Sequence, residues 1–415
     1  MMLNRVRFAI GVLPVAAAAM FTAWIVSVAA GQCQYEVTVI QKPGTDEATI
    51  GLALNNHGHV VGRYTSAVGD SSQAFLWTPD TGYTTLPSPP GASDSYASDI
   101  NDAGVIVGTG SPSLDESFGW VYADGEYTIL PPMEGGTSAG ASGINEAGEV
   151  AGSRSIVEGP SPTNAFYWSE ATGIIDLGVM GDYTTTGADI NHSGHLAGTR
   201  GIWASTDEAF IWNDGEVTFL GPIPGGSTSS AGAINNRSEV AGAGMLDRDV
   251  PSDNIFRAFL WRDGTMILLG TLPYHVKSTA RGRNDLTQVV GDGRPLSSSE
   301  RRAFLWQHGV MHDLNDLIPP RAVDTIERTW DINNSGQIIA DGISFSGAEV
   351  SFLLTPVNRP KGDADCDCAV GVLDLLFVLA EWGKTDSLAD LNGDDVVDVL
   401  DLLTVLDDWT GPIDS

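Results

Sequence analysis

Alternating acidic residues near the C-terminus have the spacing of a calcium loop. Positions 1, 3, 5, 9 and 12 of such a loop are Asp390, Asn392, Asp394, Asp398 and Asp401, and Val396 offers its carbonyl oxygen at position 7. Calcium prefers hard oxygen ligands in this alternating arrangement. This segment is therefore predicted to bind one calcium ion.

The same arrangement occurs once more, 27 residues upstream. Positions 1, 3, 5 and 12 of this earlier loop are Asp363, Asp365, Asp367 and Asp374, with Ala369 at position 7. Cys368 replaces the usual glycine at position 6, and Gly371 at position 9 has no side-chain oxygen. We therefore predict two calcium sites, of which the second loop binds more strongly.

Each loop is followed by an apolar segment with helical spacing, and these segments also match at the same offset. Asp374-Leu375-Leu376 corresponds to Asp401-Leu402-Leu403, and Trp382 corresponds to Trp409. Two calcium loops, each followed by one helix and closed by Asp at position 12, resemble a type I dockerin over residues 363–410. The resemblance implies calcium-dependent docking onto a cohesin domain.

In dockerins, positions 10 and 11 of each loop help to select the cohesin. Here they are the apolar pairs Val372-Leu373 and Val399-Leu400 instead of polar residues. The expected partner is therefore an unusual cohesin-like protein or another surface protein.

A different repeat covers most of the preceding chain. The segment Ile-Asn-x-x-Gly-x-Val-x-Gly recurs seven times at intervals of 44 to 49 residues, with its Asn at Asn55, Asn101, Asn145, Asn191, Asn235, Asn284 and Asn333. An Ala-Phe-Leu-Trp-like run follows each time and ends at Trp77, Trp120, Trp168, Trp212, Trp261, Trp306 and Leu354. Turns such as Asp124-Gly125 then lead to a further apolar run, which is a hairpin signal.

Four short strands per unit are expected, ending at the Ile-Asn pair, at Val-x-Gly, at the Trp and at a Leu-Gly or Leu-Pro pair. Units of this length with four strands are typical of β-propeller blades. The seventh copy lacks its fourth strand, and the unassigned run 35–40 is expected to supply it by pairing with residues 351–355. The predicted fold is thus all-β, a seven-bladed β-propeller over residues 33–356, followed by a linker at 357–362 and a small α-helical calcium-binding module.

Five of the repeats contain an Ala-Phe pair, namely Ala74-Phe75, Ala165-Phe166, Ala209-Phe210, Ala258-Phe259 and Ala303-Phe304. On these residues the repeat resembles the HAF family of extracellular bacterial repeats, over residues 35 to 355. The His of that family is replaced at every copy, so no role of that side chain carries over. The resemblance implies export and repetition, and no known chemistry.

No nucleophile elbow, zinc-protease helix or phosphate loop occurs in the sequence. His59 and His195 share a repeat position with Val105, Glu149, Glu239, Gln288 and Gln337, which indicates a variable exposed site and not a metal site. The repeated Trp residues are interpreted as core between blades. A carboxylate pair for catalysis stays open, because only geometry can show one.

Arginine is concentrated in one part of this acidic chain. Eleven of the seventeen Arg lie between Arg237 and Arg328, which indicates either a recognition surface or pairing with neighbouring carboxylates. A ligand is expected on the face built by the loops between blades and between second and third strands, with Trp203, Tyr274, Arg294 and Arg301 as contacts. Because Arg forks onto carboxylate or sulfate oxygens, an anionic polysaccharide is the expected ligand.

The first thirty residues combine Arg5 and Arg7 with an apolar run that ends in small residues. They are predicted to be a cleaved signal peptide, residues 1–30, with an uncleaved anchor as the alternative. The formal net charge of −32 makes nucleic acid an unexpected partner. If strand 35–40 closes the ring, a disulfide from Cys33 to Cys366 or Cys368 is within reach.

These patterns predict a secreted or cell-surface, monomeric and non-catalytic binding or scaffold protein. The alternative is an extracellular polysaccharide-active enzyme, a glycoside hydrolase or lyase, or its accessory subunit, because dockerins are commonly appended to glycoside hydrolases. A carboxylate pair in the propeller channel would favour that alternative.

Overall fold

The structure is a computed structural model. It describes residues 34–43, 48–65, 71–155, 163–181, 183–201, 207–247, 255–296, 298–345, 347–357, 359–365, 368–385, 387–392 and 396–409. The predicted signal peptide, Cys33, Trp203, Cys366, Asp367 and Asp394 lie outside the described residues. Within the described ranges, no helix has both the length and the apolar character needed to cross a membrane.

The strands form seven four-stranded antiparallel sheets, six of which are meanders of consecutive strands. Blade 1 contains β2 (Thr49–Leu54), β3 (Val60–Thr65), β4 (Ser72–Thr78) and β5 (Gly82–Thr85). Blade 2 contains β6 (Asp94–Ile100), β7 (Ile106–Ser113), β8 (Glu116–Ala123) and β9 (Glu126–Leu130). Blade 3 contains β10 (Ala139–Ile144), β11 (Val150–Ser155), β12 (Thr163–Ser169) and β13 (Gly173–Gly178).

Blades 4 to 6 repeat this order. Blade 4 contains β14 (Thr184–Ile190), β15 (Leu196–Gly201), β16 (Glu208–Asn213) and β17 (Glu216–Phe219). Blade 5 contains β18 (Ser230–Ile234), β19 (Val240–Met245), β20 (Phe256–Arg262) and β21 (Thr265–Gly270). Blade 6 contains β22 (Lys277–Arg283), β23 (Val289–Arg294), β24 (Arg302–Gln307) and β25 (Val310–Asp313), followed by a short 3-10 helix (Leu314–Asp316).

Blade 7 joins the two ends of the array. It contains β26 (Thr325–Ile332), β27 (Ile338–Ile343), β28 (Glu349–Val357) and, as its outer strand, β1 (Gln34–Ile40). β1 pairs antiparallel with β28, with Tyr35 opposite Pro356 and Ile40 opposite Ser351. The predicted closure is confirmed, and β28 extends one residue into the segment expected to be linker.

The first strand of each blade contacts the first strand of the next, and β26 contacts β2, so the seven first strands surround a central channel. The turns between first and second strands and between third and fourth strands therefore lie on one side of the ring, which we call the hairpin face. The connections between second and third strands and between blades lie on the other side, the loop face.

The predicted strands differ from the observed ones at two places. The second strand of each blade begins at the Val-x-Gly segment and continues beyond it, instead of ending there. In blade 2, Trp120 lies opposite Gly108, the position that Phe75 holds opposite Gly62 in blade 1, so Tyr122 and not Trp120 takes the repeat Trp position. The assignment of Trp120 to that position was wrong. The Asp-Gly hairpins are confirmed, since both residues of Asp124-Gly125 have positive φ.

The core lies between blades, and the third strands contribute its large Phe side chains to residues of the first and second strands. The six Phe residues of the Ala-Phe-type pairs are fully buried: Phe75, Phe166, Phe210, Phe259, Phe304 and Phe352. The glycine of Val-x-Gly allows this packing, because a Cβ atom at Gly152 would lie 2.4 Å from the Phe166 ring. A larger side chain there would displace the ring from the core.

The C-terminal segment, residues 359–409, contains α1 (Val372–Ala380) and α2 (Val399–Asp407). A small apolar cluster that includes Val370, Val378, Val397 and Val405 is almost fully buried between them. Both helices begin at position 10 of the acidic loops, so the end of each loop is the first turn of its helix.

Candidate functional site

The Asn of each repeat links its blade to the next. In Asn191, for example, Oδ1 accepts hydrogen bonds from the backbone amides of Ser193 and His195, both at 3.0 Å. Its Nδ2 donates to the backbone carbonyl of Asn235 in the next blade. The equivalent bonds join all seven blades at 2.9–3.2 Å, and Asn333 donates to Asn55 to close the ring. This asparagine ring lines a cavity of about 160 Å³ at the hairpin face of the channel.

Three aspartates stand two residues before the Asn in blades 2, 4 and 7. Asp99, Asp189 and Asp331 each accept one backbone amide of their own blade and one of the next blade, at 2.7–3.2 Å. Burial raises the pKa of Asp331 to about 7 and that of Asp189 to about 6, and burial followed by the charges of Asp189 and Asp331 raises the pKa of Asp99 well above its usual range. Each carboxylate thus bridges two blades.

The sequence had indicated that the repeat position shared by the two histidines is exposed, but the structure shows that it is buried in some blades. Glu239 and Gln288 at this position are buried, with 4% and 1% of their surface exposed. Their side chains bond the Asn of their own turn, and Glu239 also forms a buried ion pair with Arg283 of blade 6. The expectation of a variable exposed site was wrong because these side chains fold back over the asparagine ring.

Four arginines of blades 6 and 7 converge around one buried carboxylate. Arg281 Nε donates to Asp292 Oδ1 at 2.9 Å, Arg301 Nη1 donates to Oδ2 at 3.0 Å, and Arg294 Nε lies 3.8 Å from Oδ2. Arg328 lies near the same group, and burial, with the charges of Arg301 and Arg281, lowers its pKa. We call Arg281, Arg294, Arg301 and Arg328 the arginine cluster. Asp292 and Asp341, which both act on Arg328, are two carboxylates beside four guanidinium groups, so the cluster keeps an excess of positive charge.

Trp330 holds part of the arginine cluster in place. The guanidinium carbons of Arg281 and Arg328 lie 4.9 and 5.3 Å from the centroid of its ring. The indole nitrogen donates to Asp341 Oδ2, which fixes the ring against the second strand of blade 7. The Nε of Arg328 is buried and has no hydrogen-bond partner within the described part of the chain.

The structure describes three of the four predicted ligand contacts. Arg294 and Arg301 both approach Asp292 on the side of the loop face. This placement is compatible with both interpretations of the Arg-rich part, namely pairing with carboxylates and a recognition surface. Tyr274 is almost fully exposed in the neighbouring loop, which is tied to Arg294 by the backbone bond from Val276 at 3.0 Å. Trp203 lies outside the described residues.

The sequence interpretation missed Asp292 and Trp330. Asp292 could have been found as an acidic residue at a position where three of the other blades have Thr or Ser, but no sequence signal marks Trp330. Asp292 and Trp330 both contact residues on other strands, so their roles do not appear in the local sequence.

The first predicted calcium loop brings three carboxylates together. One oxygen each of Asp363, Asp365 and Asp374 lie within 4.8 Å of one another, and all three residues are buried. Burial raises the pKa of Asp363 to about 7, and burial with the charge of Asp365 raises the pKa of Asp374 to about 6. Cys368, at the position usually held by glycine, has a φ of 64° and donates its amide to Asp363. At Cys368 the backbone therefore has the positive φ for which calcium loops usually have glycine.

Three internal bonds of the first loop recur in the second. Asp374 accepts the amides of Ala364, Asp365 and Gly371, and Asp401 accepts those of Leu391, Asn392 and Asp398, each 27 residues downstream. Asp401 is fully buried, whereas the carboxylate of Asp398 accepts the amide of Leu400 as the N-cap of α2. The duplicated sequence thus folds into a duplicated structure.

Apolar side chains of both helices project into solvent. Half or nearly half of each of these side chains is exposed: Val372, Leu373, Leu376, Leu379, Val399, Leu400, Leu403 and Leu406. The first four match the last four at the 27-residue offset. Exposed apolar patches on soluble proteins mark interaction sites. We call these two sets the twin apolar faces.

The C-terminal segment contacts the hairpin face of the propeller. His308, in the turn between β24 and β25, lies 3.3 Å from Asp365, and Arg237, in the first turn of blade 5, lies over Phe377. Cys368 packs against the core cluster of blade 7 that contains Tyr35, and it is disulfide-bonded. Its partner, Cys33 or Cys366, lies outside the described residues.

No family model and no curated protein matches this sequence. Solved structures share its fold. Virginiamycin B lyase from Staphylococcus aureus aligns with a TM-score of 0.50 at 10% identity, covering 78% of this chain and 100% of the lyase chain. Acylaminoacyl peptidase from Pyrococcus horikoshii aligns with a TM-score of 0.51 at 11% identity, covering 76% of this chain and 52% of the peptidase chain. At these identities the likeness shows the propeller fold alone.

Proposed function

We propose that this protein is a secreted, non-catalytic binding protein. Its C-terminal segment, a dockerin-like module, attaches in a calcium-dependent manner to a cohesin-like or other surface protein. Its propeller, built of HAF-type repeats, presents the arginine cluster to an anionic polysaccharide.

The observation that carries the docking function is the pair of twin apolar faces beside two acidic loops. Val372-Leu373 and Val399-Leu400 are each at least half exposed, at the loop positions that help to select the partner in dockerins. Burial of such side chains in an interface contributes about 25 cal/mol for each Å² of apolar surface. Two equivalent faces give the partner two equivalent places to bind.

Calcium fits the acidic loops because three carboxylates of the first loop and Asp401 of the second are buried without an equal number of cations. Asp363, Asp365 and Asp374 would hold the ion in the first loop, and Asp390, Asn392 and Asp401 would hold it in the second. A bound calcium ion supplies the positive charge that keeps these carboxylates ionised and the loops folded. Arg359 lies 3.2 Å from Asp363 and competes with the ion there, which supports the weaker affinity of the first loop.

The arrangement of the two sites supports a bridging role. The C-terminal segment contacts the hairpin face, whereas Arg294 and Arg301 lie toward the loop face on the opposite side of the ring. A protein docked through the segment would therefore leave the arginine cluster open to a polysaccharide. The excess positive charge of the cluster favours an anionic ligand in a chain that is otherwise strongly acidic.

The enzymatic alternative depends on free carboxylates in the channel. Asp99, Asp189 and Asp331 lie there with raised pKa values, as a general acid requires. Both oxygens of each carboxylate, however, accept backbone amides that join adjacent blades. This bonding favours a structural role for the three residues and a non-catalytic propeller.

Binding of the mature chain to immobilised type I cohesin domains, measured by biolayer interferometry, tests the docking function. We expect binding in millimolar calcium and its loss in chelator. A Leu373→Asp, Leu400→Asp double variant should bind at least about 100-fold more weakly, because each change places a charge in an apolar interface. The control is Leu114→Asp, which alters a fully exposed leucine of the propeller.

Two results would count against the docking proposal. One is binding that persists unchanged in chelator. The other is an equal loss of binding in the double variant and in the Leu114 control.

A further inference from the structure

One repeat position of the propeller has lost its polar side chain in blade 5 alone. The residue after Val-x-Gly is Arg63, Thr109, Ser153, Thr199, Ala243, Asp292 and Asp341 in blades 1 to 7. In blades 3 and 4 its hydroxyl reaches the next blade: Ser153 accepts the amide of Gly187 at 3.1 Å, and Thr199 accepts the amide of Ala231 at 3.0 Å. The methyl group of Ala243 cannot make this bond to blade 6.

The missing side chain coincides with a cavity of about 300 Å³ in the channel wall between blades 5 and 6. Its floor consists of small residues, among them Ala231, Gly232 and Ala243. Its wall is formed by Arg281 and Trp330. A cavity of this volume is at the lower end of the range of small-molecule sites, which suits one sugar residue better than a longer segment.

The charge at this cavity is positive. Arg281 uses its Nε to bond Asp292, which leaves the two terminal nitrogens of the guanidinium as donors. Arg328 adds a second guanidinium beside the same Trp330 ring and has a buried Nε without a partner in the described part of the chain. Arg281, held against this indole, is the donor at the cavity that matches a carboxylate or sulfate group, and Arg328 adds positive charge beside the same ring.

Hydroxyl groups complete the lining. Ser230 and Thr279, which occupy the same repeat position as Arg328, both border the cavity. They can bond the hydroxyls of a sugar whose anionic group is held by Arg281.

We propose that this cavity binds one acidic sugar residue, with the carboxylate or sulfate group on Arg281 and the ring against the small residues of blade 5. The inference rests on the proposed recognition of an anionic polysaccharide and identifies where one unit of that polymer is held. Ala243 acts as the residue that opens the site.

The test uses the full mature chain in affinity gel electrophoresis with polygalacturonate, dextran sulfate or neutral dextran in the gel. We expect retardation by at least one charged polymer and none by dextran. Ala243→Thr places in blade 5 the residue that blades 2 and 4 already have, so it should fill the cavity without removing charge or unfolding the blade. It should weaken binding at least about ten-fold, as should Arg281→Gln, which removes a charged hydrogen-bond donor. Ser153→Thr, at the same repeat position in blade 3, is the matched control.

The outcomes separate the cavity from the wider function. Retardation by polygalacturonate alone assigns a carboxylate, and retardation by dextran sulfate alone assigns a sulfate. If the wild-type chain is retarded and Ala243→Thr is retarded equally, the cavity proposal is overturned while recognition by the propeller stands. If neither charged polymer retards the wild-type chain, both the cavity and the polysaccharide function are overturned, and the docking function is unaffected.

Discussion

Replacing Asn333 by Ala should break the asparagine ring where blade 7 meets blade 1. Its Oδ1 accepts the amides of Ser335 at 3.1 Å and Gln337 at 2.9 Å, and its Nδ2 donates to Asn55 O and to the Gln337 side chain, both at 2.9 Å. Four hydrogen bonds at about 1 kcal/mol each, reduced by rehydration of the turn, give an expected loss of about 3 kcal/mol in unfolding free energy. The residue is 5% exposed, so water cannot replace every bond.

Guanidinium unfolding followed by tryptophan fluorescence measures this loss. The control is Asn56→Ala in the first turn of blade 1, because Asn56 is exposed although it also bonds an adjacent blade. We expect the control to cost less than about 1 kcal/mol. An Asn333→Ala cost as small as that of the control would refute the claim that the asparagine ring stabilises the closed propeller.

Three further outcomes follow from the structure. Burial raises the folded-state pKa of Asp331 to about 7, above an unfolded value near 4, so its proton stabilises the fold at acidic pH, and this contribution is lost as pH rises through 7. Asp331→Asn should therefore reduce the decrease in unfolding free energy with rising pH. An unchanged pH dependence of the unfolding free energy contradicts this prediction. Gly282→Ala should cost about 1–3 kcal/mol in thermal unfolding, since its Cβ would lie 2.6 Å from the Asp331 Cα, and an unchanged midpoint opposes this account. Cys368 packs against the core cluster that includes Tyr35 of β1, two residues after Cys33 in the sequence, so peptide mapping without reductant should find Cys368 linked to Cys33, with one free thiol on Cys366; a Cys366–Cys368 link would disprove the pairing.

The propeller could be predicted from the sequence because its signals are local and repeated. The Asn-x-x-Gly and Asp-Gly turns mark hairpins, and the missing fourth strand of the last repeat indicated β1 as its partner. The predicted repeat position of Trp120 was wrong because Trp120 and Tyr122 are both aromatic. Only packing against Gly108 decides which of the two is in the core.

The bonds of the asparagine ring could not be predicted, because they join residues more than forty positions apart. The Asn pattern predicted the turn that each Asn forms, but its Nδ2 bond to the next blade depends on the ring geometry. The same holds for Asp292, whose role depends on Arg281 and Arg301 from neighbouring strands and loops. The duplicated acidic loops, in contrast, could be matched residue by residue, since every partner lies within one short segment.

Calcium titration of the chain by isothermal calorimetry measures whether the two acidic loops bind calcium. We expect two bound ions, the tighter one lost in Asp401→Ala and the weaker one lost in Asp374→Ala. Binding should be accompanied by proton release near pH 6 to 7, because burial raises the pKa values of Asp363 and Asp374 into that range. Absence of binding heat at millimolar calcium, or heat that is unchanged in both variants, would contradict a calcium-dependent docking segment.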